Sequence, residues 1–163
     1  MRCHNLTVFW LVLEPMSELS DILTKDGTRE PVVSDLAEST ENSVNNLSGL
    51  SGKAIKTAFS GAVKARLNLV KDMTDRLLPH LADRLNPYWQ AYQNGKPEGG
   101  FGKYLETRSD EVTKDLADLS DERMESIKNS GAQKIYNTFR GKLEGIVEKG
   151  LPDLGDIIEK HAS

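Results

Sequence analysis

Apolar residues return at intervals of three and four along almost the whole chain, the spacing that lines one face of an α-helix. Ser17 to Thr24 sets Leu19, Ile22 and Leu23 on one side, with Ser17 as cap, and Lys25, Asp26 and Gly27 form a turn. Pro31 stands where a first helical turn tolerates a missing amide hydrogen, and Val33, Leu36, Thr40, Val44 and Leu47 make the stripe of a second helix. Ser48-Gly49-Leu50-Ser51-Gly52 ends it, with glycines available for left-handed backbone and Ser51 as the next cap. The third helix gathers Ala54, Ile55, Ala58, Phe59, Ala62 and Val63 on one face. Gly61 in its middle costs about 1 kcal/mol relative to alanine, which predicts a close backbone contact there. Val70, Met73, Leu77, Leu78, Leu81, Ala82 and Leu85 form a fourth stripe, which Pro79 is expected to kink or restart. Asn86 and Pro87 read as cap and first position of a short aromatic helix carrying Tyr88, Trp89 and Tyr92.

Asn94 to Gly100 is a linker, and beyond it the pattern begins again. Phe101 to Glu106 mimics the opening helix. Ser109 to Leu119 and Ser120 to Lys128 follow, each with a serine cap and two acids at its start, and Val112, Leu116, Leu119, Met124 and Ile127 turn inward. A further helix runs from Gly131 to about Glu148, and Leu151, Leu154, Ile157 and Ile158 close the chain.

The two halves match residue by residue. GKAIKTAFSGAV, Gly52 to Val63, returns eighty positions later as AQKIYNTFRGKL, Ala132 to Leu143, with Ile55, Phe59 and Gly61 on Ile135, Phe139 and Gly141. In the same register Val32, Asp35, Leu36 and Ala37 fall on Val112, Asp115, Leu116 and Ala117. Past Gly61 the register slips by seven, and Leu78, Pro79, Leu81 and Asp83 meet Leu151, Pro152, Leu154 and Asp156. The expected fold is therefore all-α, a pseudo-two-fold helical bundle from a tandem duplication of about eighty residues. One domain is expected over 16–163, its halves covering about 17–93 and 101–162.

Residues 1–15, MRCHNLTVFWLVLEP, differ from everything after them. Their apolar run is far shorter than the roughly 20 residues that cross a bilayer, and no small-x-small cleavage site follows it. They read as an extension outside the fold, ahead of a natural start at Met16.

Charge changes the picture more than composition does. The chain of 163 residues has 37% hydrophobic residues, enough for a modest core, and a net charge of -4, which argues against general nucleic-acid binding. Positions 16–51 hold two basic and seven acidic residues and positions 52–85 seven basic and three acidic, so neighbouring helices of opposite sign are expected to complement one another. Lys53, Lys56, Lys64, Arg66 and Lys71 form a basic face, either simply solvated or docking an anionic partner. The single cysteine, Cys3, fits a reducing compartment.

Catalytic chemistry finds few residues to use. His4, His80 and His161 stand alone, no cysteine pair exists, and the glycine-rich stretches lack the lysine and hydroxyl pair of a phosphate loop. No metal or other cofactor is expected, and no catalytic residue emerges. His80, between leucines and after Pro79, is the one histidine placed near a core. Tyr88, Trp89, Tyr92 and Phe101 either plug the end of the core or line a pocket for a small apolar ligand between the halves.

SGLSGKAIKTAF, DRLLPHLADRLNPYW, FGKYL and the closing EKHA resemble a small actinobacterial family of uncharacterised all-helical proteins, over about Met16 to Ala162. The resemblance implies a cytoplasmic helical domain of unknown activity and supplies no functional residue. The expected role is a non-catalytic cytoplasmic interaction or scaffolding protein with a protein partner. Binding a small apolar ligand, or an anionic partner through residues 53–71, are the alternatives, and homo-oligomerisation stays open.

Overall fold

The computed structural model describes residues 17–95, 97–127 and 130–163, though not the side chains at 51, 131, 132 and 135. The expectation for residues 1–15 lies outside the described residues. Among those described there are seven helices and no strand: α1 (Glu18–Leu23), α2 (Arg29–Asn45), α3 (Gly49–Ala65), α4 (Leu69–Gly95), α5 (Gly100–Thr107), α6 (Ser109–Glu125) and α7 (Ser130–Ala162). The fold is all-α.

The long helices α4 and α7 form its centre. α1, α2 and α6 pack on α4, while α5, α2 and α6 pack on α7. Leu78, Ala82, Leu85 and Trp89 of α4 and Leu151 and Ile158 of α7 are buried against Leu19, Leu23, Val32, Leu36, Phe101, Leu105, Val112 and Leu116. Each short helix is seated on a long one by a side-chain acceptor. Ser17 caps α1, accepting from the Ser20 amide at 3.1 Å, and itself bonds Asp83 through both its amide and its hydroxyl. Asn86 Oδ1 of α4 accepts from the Leu19 amide at 3.2 Å, and Glu159 Oε1 of α7 accepts from the Phe101 amide at 3.1 Å. These bonds satisfy amides that a helix start otherwise leaves open.

Positions paired by sequence are often buried alike. α2 and α6 are both 17 residues long and begin eighty positions apart. Val32 and Val112, Leu36 and Leu116, and Ala37 and Ala117 are all buried, as are Leu78 and Leu151. The seven-residue slip falls where α3 ends and α4 restarts at Leu69, a break with no counterpart in the unbroken α7.

Several expected boundaries move. Neither Pro79 nor Pro87 ends a helix; α4 continues through both, and Asn86 caps α1 rather than a helix of its own. A proline removes a single amide hydrogen bond, and the burial of Leu78, Ala82, Leu85 and Trp89 around it outweighs that loss. Ser120 lies inside α6 and Ser51 inside α3, so neither is a cap. The carboxylate after Ser120 is used instead by α7: Arg140 and Tyr136 both bond Asp121. The linker is also shorter than expected, because α4 reaches Gly95 and α5 begins at Gly100. Gly99 and Gly100 take φ +97° and +81° between them, backbone that glycine adopts without strain.

The close helix contact predicted at Gly61 is absent, since a Cβ on Gly61 or on Gly141 would meet nothing within 4 Å. Backbones meet elsewhere. A Cβ on Gly155 of α7 would strike the backbone of Gly102 in α5, including its amide nitrogen at 2.5 Å.

Candidate functional site: the basic helix α3

α3 forms because its apolar residues share an arc, with Lys53 and Lys64 opposite and Lys56 at its edge. Its start is pinned by Gly52, which is buried and whose Cβ would meet Leu47 at 3.0 Å. Ile55 is buried and Phe59, Ala62 and Val63 are half-buried, so this arc faces the body, where α3 makes slight contacts with α2 and α4. Lys53 and Lys64 therefore point away, while Lys56 is half-buried. Leu50, Lys53, Thr57, Ser60 and Lys64 follow one another at spacings of three and four along one outward row, and every one is exposed. Leu50 is 90% exposed, and Leu67, the next position of that spacing and in the turn after the helix, is 84% exposed.

Electrostatically this segment is set apart. Between Glu41 and Asp72 the chain has five basic residues and no acidic one; the remaining residues hold 16 basic and 25 acidic, a net of -9. Among the described residues Lys53, Lys56, Lys64 and Lys71 take part in no ion pair, while Arg66 meets Asp72 at 2.6 Å. The expected complementarity between the acidic and basic segments is not built. The ion pair that joins them runs in the opposite sense, from Arg29 to Asp75 at 2.6 Å. Elsewhere some cations are paired, Arg140 with Asp121 and Lys160 with Asp35 among them, while Lys25, Arg76 and Arg123 resemble the α3 lysines in taking part in no ion pair among the described residues.

Of the aromatic residues, Trp89, Tyr92 and Phe101 are buried and Tyr88 is half-buried. Trp89 meets Phe101 edge-on at 5.0 Å between ring centres, and Tyr92 lies 5.4 Å from Phe101. Their polar ends are satisfied: Tyr92 donates to Glu159 at 2.7 Å and Tyr88 to Asp115 at 2.5 Å. The bond to the Glu159 carboxylate, together with burial, pushes the Tyr92 hydroxyl up to about 12, while burial and Asp115 raise that of Tyr88. Two surface grooves formed by the described residues are lined by other side chains. One, about 440 Å³, lies beside Pro97, Tyr104 and Arg108; the other, about 430 Å³, lies between α6 and α7.

The two described histidines, His80 and His161, share no hydrogen bond or ion pair. His4 lies outside the described residues and His80 is half-buried in α4. His161 Nε2 is 2.7 Å from Asp35 Oδ2, tying the end of α7 to α2, and this bond with that of Lys160 holds the Asp35 carboxyl below its ordinary value. Among the described residues no group of three histidine, cysteine or acidic side chains is placed to hold a metal. None of their helices is long and apolar enough to cross a membrane.

Of the five cations expected to share a face, Lys53, Lys56 and Lys64 lie on α3, Arg66 just after it and Lys71 in α4, and sequence reasoning did not single out Leu50 and Leu67. Leu50 stood inside a stretch read as a loop; its spacing of three and seven from Lys53 and Thr57 was the available signal.

A family described as a family of unknown function (DUF6918) matches residues 19–162. No curated protein and no solved structure matches the chain.

Proposed function

We propose that this chain, which belongs to the DUF6918 family of unknown function, is a non-catalytic helical interaction module of the cytoplasm that docks an anionic partner through α3. The observation that carries this reading is the outward pair Lys53 and Lys64 in a stretch of chain without an acidic residue between Glu41 and Asp72, on a chain that is otherwise strongly acidic. Solvated lysines on ordinary helices are interspersed with acids, and locally uncompensated charge raises the encounter rate with an opposite surface. The single cysteine fits the reducing compartment of the cytoplasm. The like burial of paired positions supports an origin by tandem duplication. α3 has since diverged from its counterpart in α7, where Arg140 and Glu144 stand at the positions of Ser60 and Lys64.

The apolar-ligand reading is second. The Tyr88, Trp89, Tyr92 and Phe101 rings already fill the space between α4 and α5, which favours the plug over the pocket.

Retention on immobilised polyglutamate tests the first reading. A protein of net charge -4 is held there only by a local basic patch. The wild type should be retained at low salt and released as salt rises, and the K53E/K56E/K64E variant should pass through. Equal retention of both proteins removes α3 as the docking element.

A further inference from the structure

The outward row of α3 carries more than charge. Two exposed leucines flank it: Leu50, at 90% exposure, opens the row beside Lys53, and Leu67, at 84%, follows Lys64 in the turn after the helix. A 17-residue helix is about 25 Å long, so the leucines bracket a basic strip of that length. Met73, 54% exposed at the start of α4, lies just beyond it in sequence. Leu50, Leu67 and Met73 are three of the four exposed large hydrophobics among the described residues, and all belong to the acid-free segment or its immediate border.

Each class of partner makes a different use of such a strip. Nucleic acid takes up the cations and leaves both leucines in water. A second copy meeting this face through a two-fold axis sets lysines against lysines, which opposes association. A partner helix packing lengthwise needs a continuous apolar ridge, and the residues between the leucines are lysine, threonine and serine. A flat anionic surface with hydrocarbon beneath uses every part: the lysines meet headgroup charge while the leucines reach the acyl boundary.

We infer that the exposed face of α3 is a docking surface for an anionic lipid bilayer, lying on it without crossing it. This rests on the reading of α3 as the docking element and names its partner. The large inward arc of Ile55, Phe59 and Val63 stays with the protein body, so the attachment is shallow and reversible. Attraction is led by charge and is therefore sensitive to salt.

Co-sedimentation of the full chain with vesicles tests it, using phosphatidylcholine alone and phosphatidylcholine with about 30 mol% phosphatidylserine. The wild type should sediment with the second and not the first, and lose binding as salt rises. Each of Lys53, Lys56 and Lys64 neutralised to glutamine should lower the partition coefficient about fivefold, and its reversal to glutamate should lower it further. L50S/L67S, which leaves the charge unchanged, should lower it about tenfold. Both leucines are exposed, so the variant should melt like the wild type, and a circular-dichroism melt checks that. No sedimentation with anionic vesicles at low salt overturns the lipid assignment, as does unchanged binding by L50S/L67S. If either occurs while polyglutamate still retains the wild type and not the triple variant, the docking role of α3 survives and its partner is an acidic protein. If polyglutamate retention also fails to distinguish the two, both readings fall.

Discussion

The hydroxyl of Thr113 is buried between α6 and its neighbours without a hydrogen-bond partner. A buried hydroxyl that loses water and gains nothing is a cost, and the paired position in the first half, Val33, fills a buried site with two methyl groups. T113V should therefore be neutral or more stable by about 1 kcal/mol, read from urea denaturation midpoints at constant slope. A loss of stability would mean that the hydroxyl is used. Single residues also show why hydrogen-bonding roles escaped sequence reasoning. Asn86, Asp83 and Glu159 act on amides more than fifty positions away, and nothing in their own neighbourhoods marks them as acceptors for α1 or α5. Ser17, whose partner is three residues on, was legible.

Helix identity was readable from periodicity, but helix ends and contacts were not. α4 passes through two prolines because tertiary burial supports the turns around them, while local rules predicted a kink or restart at Pro79 and a new helix at Pro87. Glycines make the same point. Gly61 and Gly141 recur at equivalent positions and face open space, whereas Gly155 and Gly102 bring α7 and α5 into backbone contact. Alanine substitution should separate the two kinds. G155A should destabilise the protein by about 3 kcal/mol or more, since backbone and not a flexible side chain obstructs the new methyl. G61A, in the interior of an exposed helix, should add up to about 1 kcal/mol. Thermal melts of the two variants check both signs, and a neutral G155A would show that α5 moves freely on α7.

At the scale of the whole molecule, acid stability sums carboxylates of opposite kinds. Asp35, bonded by His161 and Lys160, and Asp121, bonded by Arg140 and Tyr136, are held below the ordinary 3.8. Their stabilisation is complete above that value and is lost as pH falls through the lower, folded-state values. Asp156 is raised, first by loss of water against α5 and then by Asp153 and Glu159. The folded state binds its proton more readily, so its contribution improves as pH falls through the window just above 3.8. Melting temperature measured from pH 7 downward should hold or rise slightly before falling below 3.8. D156N should be the more stable protein at pH 7 and should lack the rise; a variant less stable than wild type at pH 7 would reverse the sign. The sequence by itself determined the helical class and the basic segment, because three-and-four spacing and formal charge are properties of order along the chain. Only the tertiary structure decided how many helices those stripes make, that α3 turns Lys53, Lys64 and Leu50 outward, that Trp89 and Phe101 fill the core, and that α5 meets α7 at two glycines. Those outcomes depend on which faces compete for one buried volume, a competition among residues far apart in sequence that no local pattern records.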